Sequence, residues 1–119
     1  MVLVDTSVWV DHLRHNNRKL GDLLIAGEVA CHPFVIGELA CGSLRNRRQI
    51  LELLQALPSL PKVEDDEILL FIEQRNLVRR GLGLIDVHLL ASAALAGASL
   101  WTLDTRLNRA AHDLKLGIG

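Results

Sequence analysis

The chain contains no tyrosine, and its aromatic residues make up only 3% of the sequence. Proteins that bind single-stranded nucleic acid commonly stack its bases on aromatic side chains, so recognition by stacking is a weak hypothesis here. An excess of positive charge is also missing, because 13 Lys and Arg face 14 Asp and Glu. No global positive field therefore draws nucleic acid to the protein, and any contact with it must be local.

Cysteines and long apolar runs are scarce as well. The two cysteines, Cys31 and Cys41, form neither a C-x-x-C pair nor a zinc-finger spacing with a histidine. We therefore expect no structural zinc site, and we interpret both as reduced, core-like thiols of a cytoplasmic protein. No segment approaches the about 18 uninterrupted apolar residues of a membrane helix, and the N-terminus lacks the pattern of a signal peptide. The prediction is a cytoplasmic protein without membrane contact.

The chain does contain enough hydrophobic residues to form one core. Hydrophobic residues make up 50% of 119 residues, so we expect a single domain spanning residues 1–119. Short apolar runs alternate with segments of helical spacing. The predicted strands are residues 2–4, 28–31, 99–103 and 116–118. Because helix-length segments connect them, the predicted fold class is α/β, with a central parallel sheet flanked by helices on both faces.

Four acidic residues stand at informative places in this pattern. Asp5 and Asp104 each follow a predicted strand, Asp86 begins a predicted helix, and Glu38 lies within one. Ligands of open parallel sheets bind beyond the carboxyl ends of the strands, so these acids can share one crevice. The alternative also stands at this point: aspartate is a favoured helix N-cap, and Glu38 can face solvent.

A shared crevice would require a cation. If the four carboxylates converge to about 6 Å, an effective dielectric of about 20 gives a repulsion of roughly 3 kcal/mol for each ionised pair. Oxygen ligands without His or Cys suit a hard ion such as Mg²⁺ or Mn²⁺. Such an ion activates water and stabilises a leaving oxygen, so the pattern points to hydrolysis of a nucleic-acid backbone.

Arginine dominates the cations, with ten of 13, and it suits bidentate recognition of phosphate. Solvated helix faces are the more common explanation of any one such cluster. The clusters are Arg45, Arg47 and Arg48, then Arg75, Arg79 and Arg80, and finally Arg106 with Arg109.

Four segments carry a resemblance to a known family. They are VLVDTSVW at residues 2–9, IGEL at residues 36–39, GLIDVHLLASA at residues 83–93 and LWTLDTRL at residues 100–107. Together they resemble the PIN-domain toxins of the VapC type, over essentially the entire chain. The resemblance implies a PIN-like fold and an endoribonuclease that depends on Mg²⁺ or Mn²⁺. It also implies the toxin role in a type II toxin–antitoxin system, with inhibition by a VapB-like antitoxin and frequent homodimerisation.

The resemblance also assigns expected roles to residues. Asp5, Glu38, Asp86 and Asp104 correspond to the family's catalytic, metal-binding acidic pocket. Thr6 and Thr102 match hydroxyl positions that orient pocket carboxylates or water, although ordinary capping or strand roles explain them as well. Arg106 could approach a scissile phosphate, and a surface ion pair is its alternative. The helices around residues 20–25 and 50–57 are rich in Leu and Ile, and could line a groove for an antitoxin helix or simply cover the core.

Other classes of protein can also carry acids at the ends of strands. The main alternative is a non-catalytic PIN-like module that binds RNA or protein and uses its acids only as caps. A phosphoacceptor receiver domain would need a paired acidic motif and a lysine late in the sheet, whereas Lys115 follows the last predicted helix. An aspartyl phosphatase would require a second aspartate two residues after the first, and this chain has Ser7 at that position. The intact set of four acids favours the nuclease.

Overall fold

The computed structural model describes residues 1–118, in which three short strands are connected by seven helices. In chain order the elements are β1 Val2–Val4, α1 Thr6–His15, α2 Arg18–Ile25, β2 Val29–Ala30, α3 Pro33–Cys41, α4 Arg47–Ala56, α5 Asp65–Gln74, α6 Leu84–Ala96, β3 Ser99–Trp101 and α7 Thr105–Asp113. None of these helices is long and apolar enough to cross a membrane.

The three strands form one parallel sheet with β1 in the centre, in the order β2-β1-β3. Val2 pairs with Val29 on one side and with Ser99 on the other, and Val4 pairs with Trp101. The intervening helices supply the crossovers that parallel neighbours require. This register places the ends of β1 and β3 side by side, so the residues that follow them begin next to each other.

Both faces of the sheet are covered. Successive strand residues point to opposite faces, and Leu3 and Val4 of β1 are both fully buried. Both residues of β2, and Leu100 with Trp101 of β3, are buried in the same way. The α/β fold with helices on both faces, expected from the sequence, is confirmed.

Within residues 1–118, α6 is the helix with the longest buried run, because residues 87–93 are all buried. Ala91, Ser92 and Ala93 are small and allow close packing, while Leu89 and Leu90 are fully buried. A buried leucine contributes about 1.5–3 kcal/mol to stability. The helix that carries Asp86 is therefore firmly held in the core.

The last predicted strand, residues 116–118, is wrong as a strand. It is reduced to one parallel bridge between Leu100 and Gly117, with the Leu100 N–H donating to the Leu116 carbonyl at 2.7 Å. The reason is that the N–H groups of Leu116 and Gly117 both donate to the Ala111 carbonyl at the end of α7. Because these two N–H groups are already bonded, they cannot pair with a neighbouring strand of the sheet.

The cysteines fall in two environments. Both are free thiols, but Cys31 is buried and Cys41 is exposed, so the prediction of two core-like thiols is wrong for Cys41. Cys41 is the last residue of α3, beyond the core-facing Val35 and Leu39. Burial raises the pKa of the Cys31 thiol, and its hydrogen bond to the His32 backbone opposes that shift.

Candidate active site

Asp5 is the most buried of the four acids, with 7% of its surface exposed. It follows β1 directly, and its N–H donates to the Trp101 carbonyl of β3 at 2.9 Å. Although Asp5 occupies the N-cap position of α1, its side chain makes no capping hydrogen bond. Its Oδ2 instead accepts from the Ser7 hydroxyl at 2.8 Å and from the Thr102 hydroxyl at 2.7 Å. Capping does not explain this carboxylate.

Ser7 is the residue of this network that the sequence interpretation missed. Its hydroxyl accepts from the Leu103 N–H at 3.0 Å and lies 3.3 Å from the Thr102 hydroxyl. The signal was present, because an acid at a strand end was followed two positions later by a hydroxyl residue. In the sequence, that hydroxyl indicated only that the second aspartate of an aspartyl phosphatase is missing.

Asp104 is a true N-cap. Its Oδ1 accepts from the Leu107 N–H at 2.9 Å in the first turn of α7. The Asp104 N–H in turn donates to the Thr102 hydroxyl at 3.0 Å, and that hydroxyl donates to Asp5. Thr102 therefore connects the acids that follow β1 and β3.

Glu38 extends from α3, is exposed, and is connected to the start of α1 by one hydrogen bond. The Thr6 hydroxyl donates to Glu38 Oε1 at 2.7 Å. Because Thr6 immediately follows Asp5, this bond brings the α3 acid to the end of β1.

Asp86 lies in the first turn of α6, three residues after the N-cap Gly83, and not at the N-cap position that the sequence suggested. Its Oδ2 accepts from the Gly83 N–H at 3.0 Å. Burial raises the pKa of the Asp86 carboxyl, and the negative charges of Asp5, Asp104 and Glu38 raise it further, while the Gly83 hydrogen bond opposes the shift. Asp5, Asp104 and Glu38 therefore each lie close enough to Asp86 for their charges to act on it.

The four carboxylates share a pattern of tethering. In each, one oxygen accepts hydrogen bonds from protein groups, and within residues 1–118 the other oxygen accepts none. The untethered oxygens are Asp5 Oδ1, Glu38 Oε2, Asp86 Oδ1 and Asp104 Oδ2. Across the same residues, no three His, Cys, Asp or Glu side chains are spaced to hold one metal ion jointly. The four side chains nevertheless form one acidic cluster, because the charge of each of the other three acts on Asp86.

Arg106 is not joined to this cluster. Its side chain lies over Gly81, in the loop before α6, so closely that a Cβ at Gly81 would come within 2.8 Å of Arg106 Nη1. Among residues 1–118 it makes no ion pair, so the surface ion pair offered as its alternative role is absent as well.

A buried histidine connects the helices that carry Glu38 and Asp86. His32 is fully buried at the N-cap of α3, where its Nδ1 accepts from the Phe34 N–H at 3.0 Å. Its Nε2 lies 3.1 Å from the hydroxyl of Ser92 on α6, and that hydroxyl donates to the Pro61 carbonyl at 2.9 Å. These partners fix a neutral ring with its proton on Nε2. Burial lowers the pKa of His32 to about 4, and the charges of His88 and Lys62 add to that effect.

Comparison with known proteins identifies the family of this chain. A family model described as PIN domain matches residues 2–113, and the chain belongs to this family. It is 50% identical to "Ribonuclease VapC32" from two strains of Mycobacterium tuberculosis, CDC 1551 / Oshkosh and ATCC 25618 / H37Rv. Each match covers 95% of this chain and 92% of the relative. The resemblance to VapC-type PIN domains is therefore confirmed.

A solved structure adds independent support for the fold. The crystal structure of PAE2754 from Pyrobaculum aerophilum superposes with a TM-score of 0.68, covering 98% of this chain and 87% of that one. Sequence identity is 21%, so the likeness concerns the fold alone. The expectation of a PIN-like fold is confirmed.

Proposed function

We propose that the chain is a metal-dependent endoribonuclease and the toxin of a type II toxin–antitoxin module. The observation that carries the proposal is the cluster of four carboxylates that follow β1 and β3 and extend from α3 and α6, each with one tethered and one untethered oxygen. The match to a protein named ribonuclease supports RNA as the substrate. In a non-catalytic PIN-like module the acids would serve only as helix caps. Capping accounts for the side chain of Asp104, but it does not explain the hydrogen bonds of Asp5, whose side chain caps no helix.

The proposed metal ligands and catalytic residues are Asp5, Glu38, Asp86 and Asp104. Their donor set consists of oxygen only and fits Mg²⁺ or Mn²⁺, which are typically bound by one or two carboxylates while keeping several waters. In that mode the remaining carboxylates hold water, so no three of them need to bind the ion directly. When bound, the cation supplies Lewis-acid activation of water and of the phosphodiester.

The other residues orient these acids. Ser7 and Thr102 both donate to Asp5 Oδ2 and so restrict rotation of the carboxylate. The other oxygen, Oδ1, is thereby held in one orientation. Thr6 does the same for Glu38. Outer partners of this kind typically contribute 10–100-fold to metal affinity or activity, as a rough guide. Arg106 is assigned no role in the acidic cluster.

The test is cleavage of total cellular RNA by purified protein with Mg²⁺, with Mn²⁺ and with EDTA. We expect cleavage only with a divalent ion, and its loss in Asp5→Asn and Asp86→Asn. Asp22→Asn is the matched control, because Asp22 is an exposed residue of α2 outside the cluster. Cleavage that persists in EDTA, or that is unchanged in both site variants, would reject the proposal. Circular dichroism checks that the variants fold.

We also propose that an antitoxin helix binds a groove between α1, α2 and α4. This groove has a volume of about 250 Å³ and an apolar lining. Its lining residues are Trp9, His12, Leu13, Leu24, Ile50, Leu53, Leu54 and Leu57. The segments predicted from their Leu and Ile content contribute to it, and we expect the same partner to send a basic side chain to the acids.

A homodimer is a separate proposal, supported by apolar side chains exposed on α5 and α6, Leu69, Leu70 and Leu95. Leu53→Lys should abolish the antitoxin complex and leave the dimer intact, and Leu69→Lys should do the reverse. Co-purification measures the first, and light scattering at micromolar concentration measures the second. Monomeric wild-type protein would reject the dimer, and full RNase activity in a stoichiometric antitoxin complex would reject the inhibitory groove.

A further inference from the structure

A second cavity begins at the acidic cluster itself. It has a volume of about 580 Å³ and lies between α1, α3 and the start of α4. Thr6 and Glu38 form its inner end, so it is continuous with the candidate active site. Sites for small ligands typically measure about 300–1,000 Å³, and this cavity is therefore large enough for one nucleotide unit.

The charge of this cavity changes sign along its length. Glu38 is negative at the inner end, whereas Arg14 of α1 and Arg45 of the α3–α4 loop line the outer part. Within residues 1–118 neither arginine forms an ion pair, in contrast to Arg48, which pairs with Glu52, and Arg80, which pairs with Asp113. Two guanidinium groups without ion-pair partners in one cavity favour an anionic ligand.

The remaining lining suits a base. Val10, Leu39 and Leu44 provide an apolar surface, and Asn46 adds an amide. The Asn46 backbone is left-handed, with φ 54, and its side chain makes no capping hydrogen bond to α4. An amide that is not used in capping can hydrogen-bond the edge of an unstacked base, as RNA-binding proteins commonly do in single-stranded regions.

We propose that this cavity is a nucleotide subsite next to the cleaved bond, with Arg14 and Arg45 binding a flanking phosphate and Asn46 reading the base. The inference rests on the proposed ribonuclease function and extends it to substrate selection. A basic peptide is a poorer occupant, because the two arginines would repel it. The apolar groove on the other side of Leu13 and Ile50 carries no such charges and remains available for a protein helix.

The test measures binding separately from cleavage. Asp104→Asn provides the background, because asparagine caps helices as well as aspartate, and a gel confirms that the RNA stays intact. A fluorescein-labelled, single-stranded RNA pool of randomised sequence is titrated in Mg²⁺ at several salt concentrations, and anisotropy gives the Kd. Arg14→Gln and Arg45→Gln should each weaken binding about tenfold, and each should reduce the salt slope by about 1.

The matched control is Arg48→Gln, which removes the same charge from an exposed site on α4 and should leave the Kd unchanged. Equal losses in all three variants would indicate general electrostatics and overturn the subsite. If Arg14→Gln and Arg45→Gln keep the wild-type RNA affinity but lose the antitoxin complex, the cavity binds the protein partner. That result would also overturn the nucleotide subsite. If wild-type protein binds RNA in this pattern but never cleaves it, the subsite stands and the nuclease proposal fails.

Base reading has its own variant. Asn46→Gly keeps the left-handed backbone without strain and removes only the amide. We expect a changed sequence preference among the bound RNAs and an unchanged salt slope. An unchanged preference would overturn the role of Asn46 in base reading.

Discussion

The two halves of the candidate active site are built differently. Asp5 lies at the end of the central strand, is buried, and has two hydroxyl donors on one oxygen. Glu38 is exposed on a helix and has one donor, Thr6. An acid with several buried donors has little freedom to rotate, whereas an exposed acid with one donor can adjust. We therefore expect Asp5 to set the position of a bound cation and Glu38 to adapt to the substrate.

The largest expected effect is the loss of RNA cleavage when one of these two acids is neutralised. Asp5→Asn should reduce RNA cleavage by more than the about 100-fold that losing an outer partner can cost. Glu38→Gln should reduce it less, because an exposed site can recruit water in place of the lost charge. Initial rates in Mn²⁺ measure both, with Asp22→Asn as the control for charge. A larger loss in Glu38→Gln would reverse the assigned roles.

The next effect concerns the hydroxyl that joins Asp5 to Asp104. Thr102→Val keeps the shape of the side chain but leaves Asp5 with one donor and the Asp104 N–H without its acceptor. We expect a 10–100-fold loss of activity, as an approximate range, and a loss of about 1–3 kcal/mol in the free energy of unfolding. Metal-dependent rates and urea unfolding measure the two. Wild-type values for both would show that Thr102 is a passive strand residue.

Thr6→Val is the matched change in the exposed half and should have a smaller effect. Its hydrogen bond to Glu38 competes with water, so we expect less than about a tenfold loss in rate and no more than about 1 kcal/mol in stability. The same assays apply. If Thr6→Val and Thr102→Val lose equal activity, the distinction between a fixed and an adjustable half is wrong.

The last effect has no counterpart in activity at neutral pH and appears only in the pH dependence of stability. In the folded protein the pKa of His32 is about 4, below its unfolded value, so the unfolded state binds more protons between these values. Neutral His32 therefore stabilises the fold fully above about pH 6.5, and up to about 3 kcal/mol is lost as the pH falls to about 4.

The variant His32→Asn can keep the cap to Phe34 and does not titrate, so urea unfolding should show a flatter pH profile between pH 4 and 6.5. His15→Asn is the control, because His15 is exposed. An identical slope for wild type and His32→Asn would contradict the assignment of a buried neutral ring.

The sequence predicted what depends on local pattern. The strand–turn–helix at Val2–Trp9 follows from a β-branched run and hydroxyl-rich turn, and Gly97 ends α6 with φ 66, as a helix C-terminal glycine does. The convergence of Asp5 and Asp104 followed from their positions after parallel strands. These features need only neighbours in the chain and the rule for parallel sheets.

What the sequence left open depends on distant partners. Whether Asp5 caps its helix or accepts hydroxyls is decided by Thr102, which is 97 residues away. The link from His32 to Ser92 spans 60 residues and has no spacing signature. The cavity with Arg14 and Arg45 likewise joins one helix with a loop that packs on it only in the folded chain.

The most direct test of the central claim is to measure Mn²⁺ binding by isothermal titration calorimetry in the absence of RNA. The account predicts saturable binding by the wild type and by Asp22→Asn, and binding weakened at least about tenfold in Asp5→Asn. Equal affinity in Asp5→Asn, or no binding by the wild type, would contradict a cation site organised by the end of the central strand.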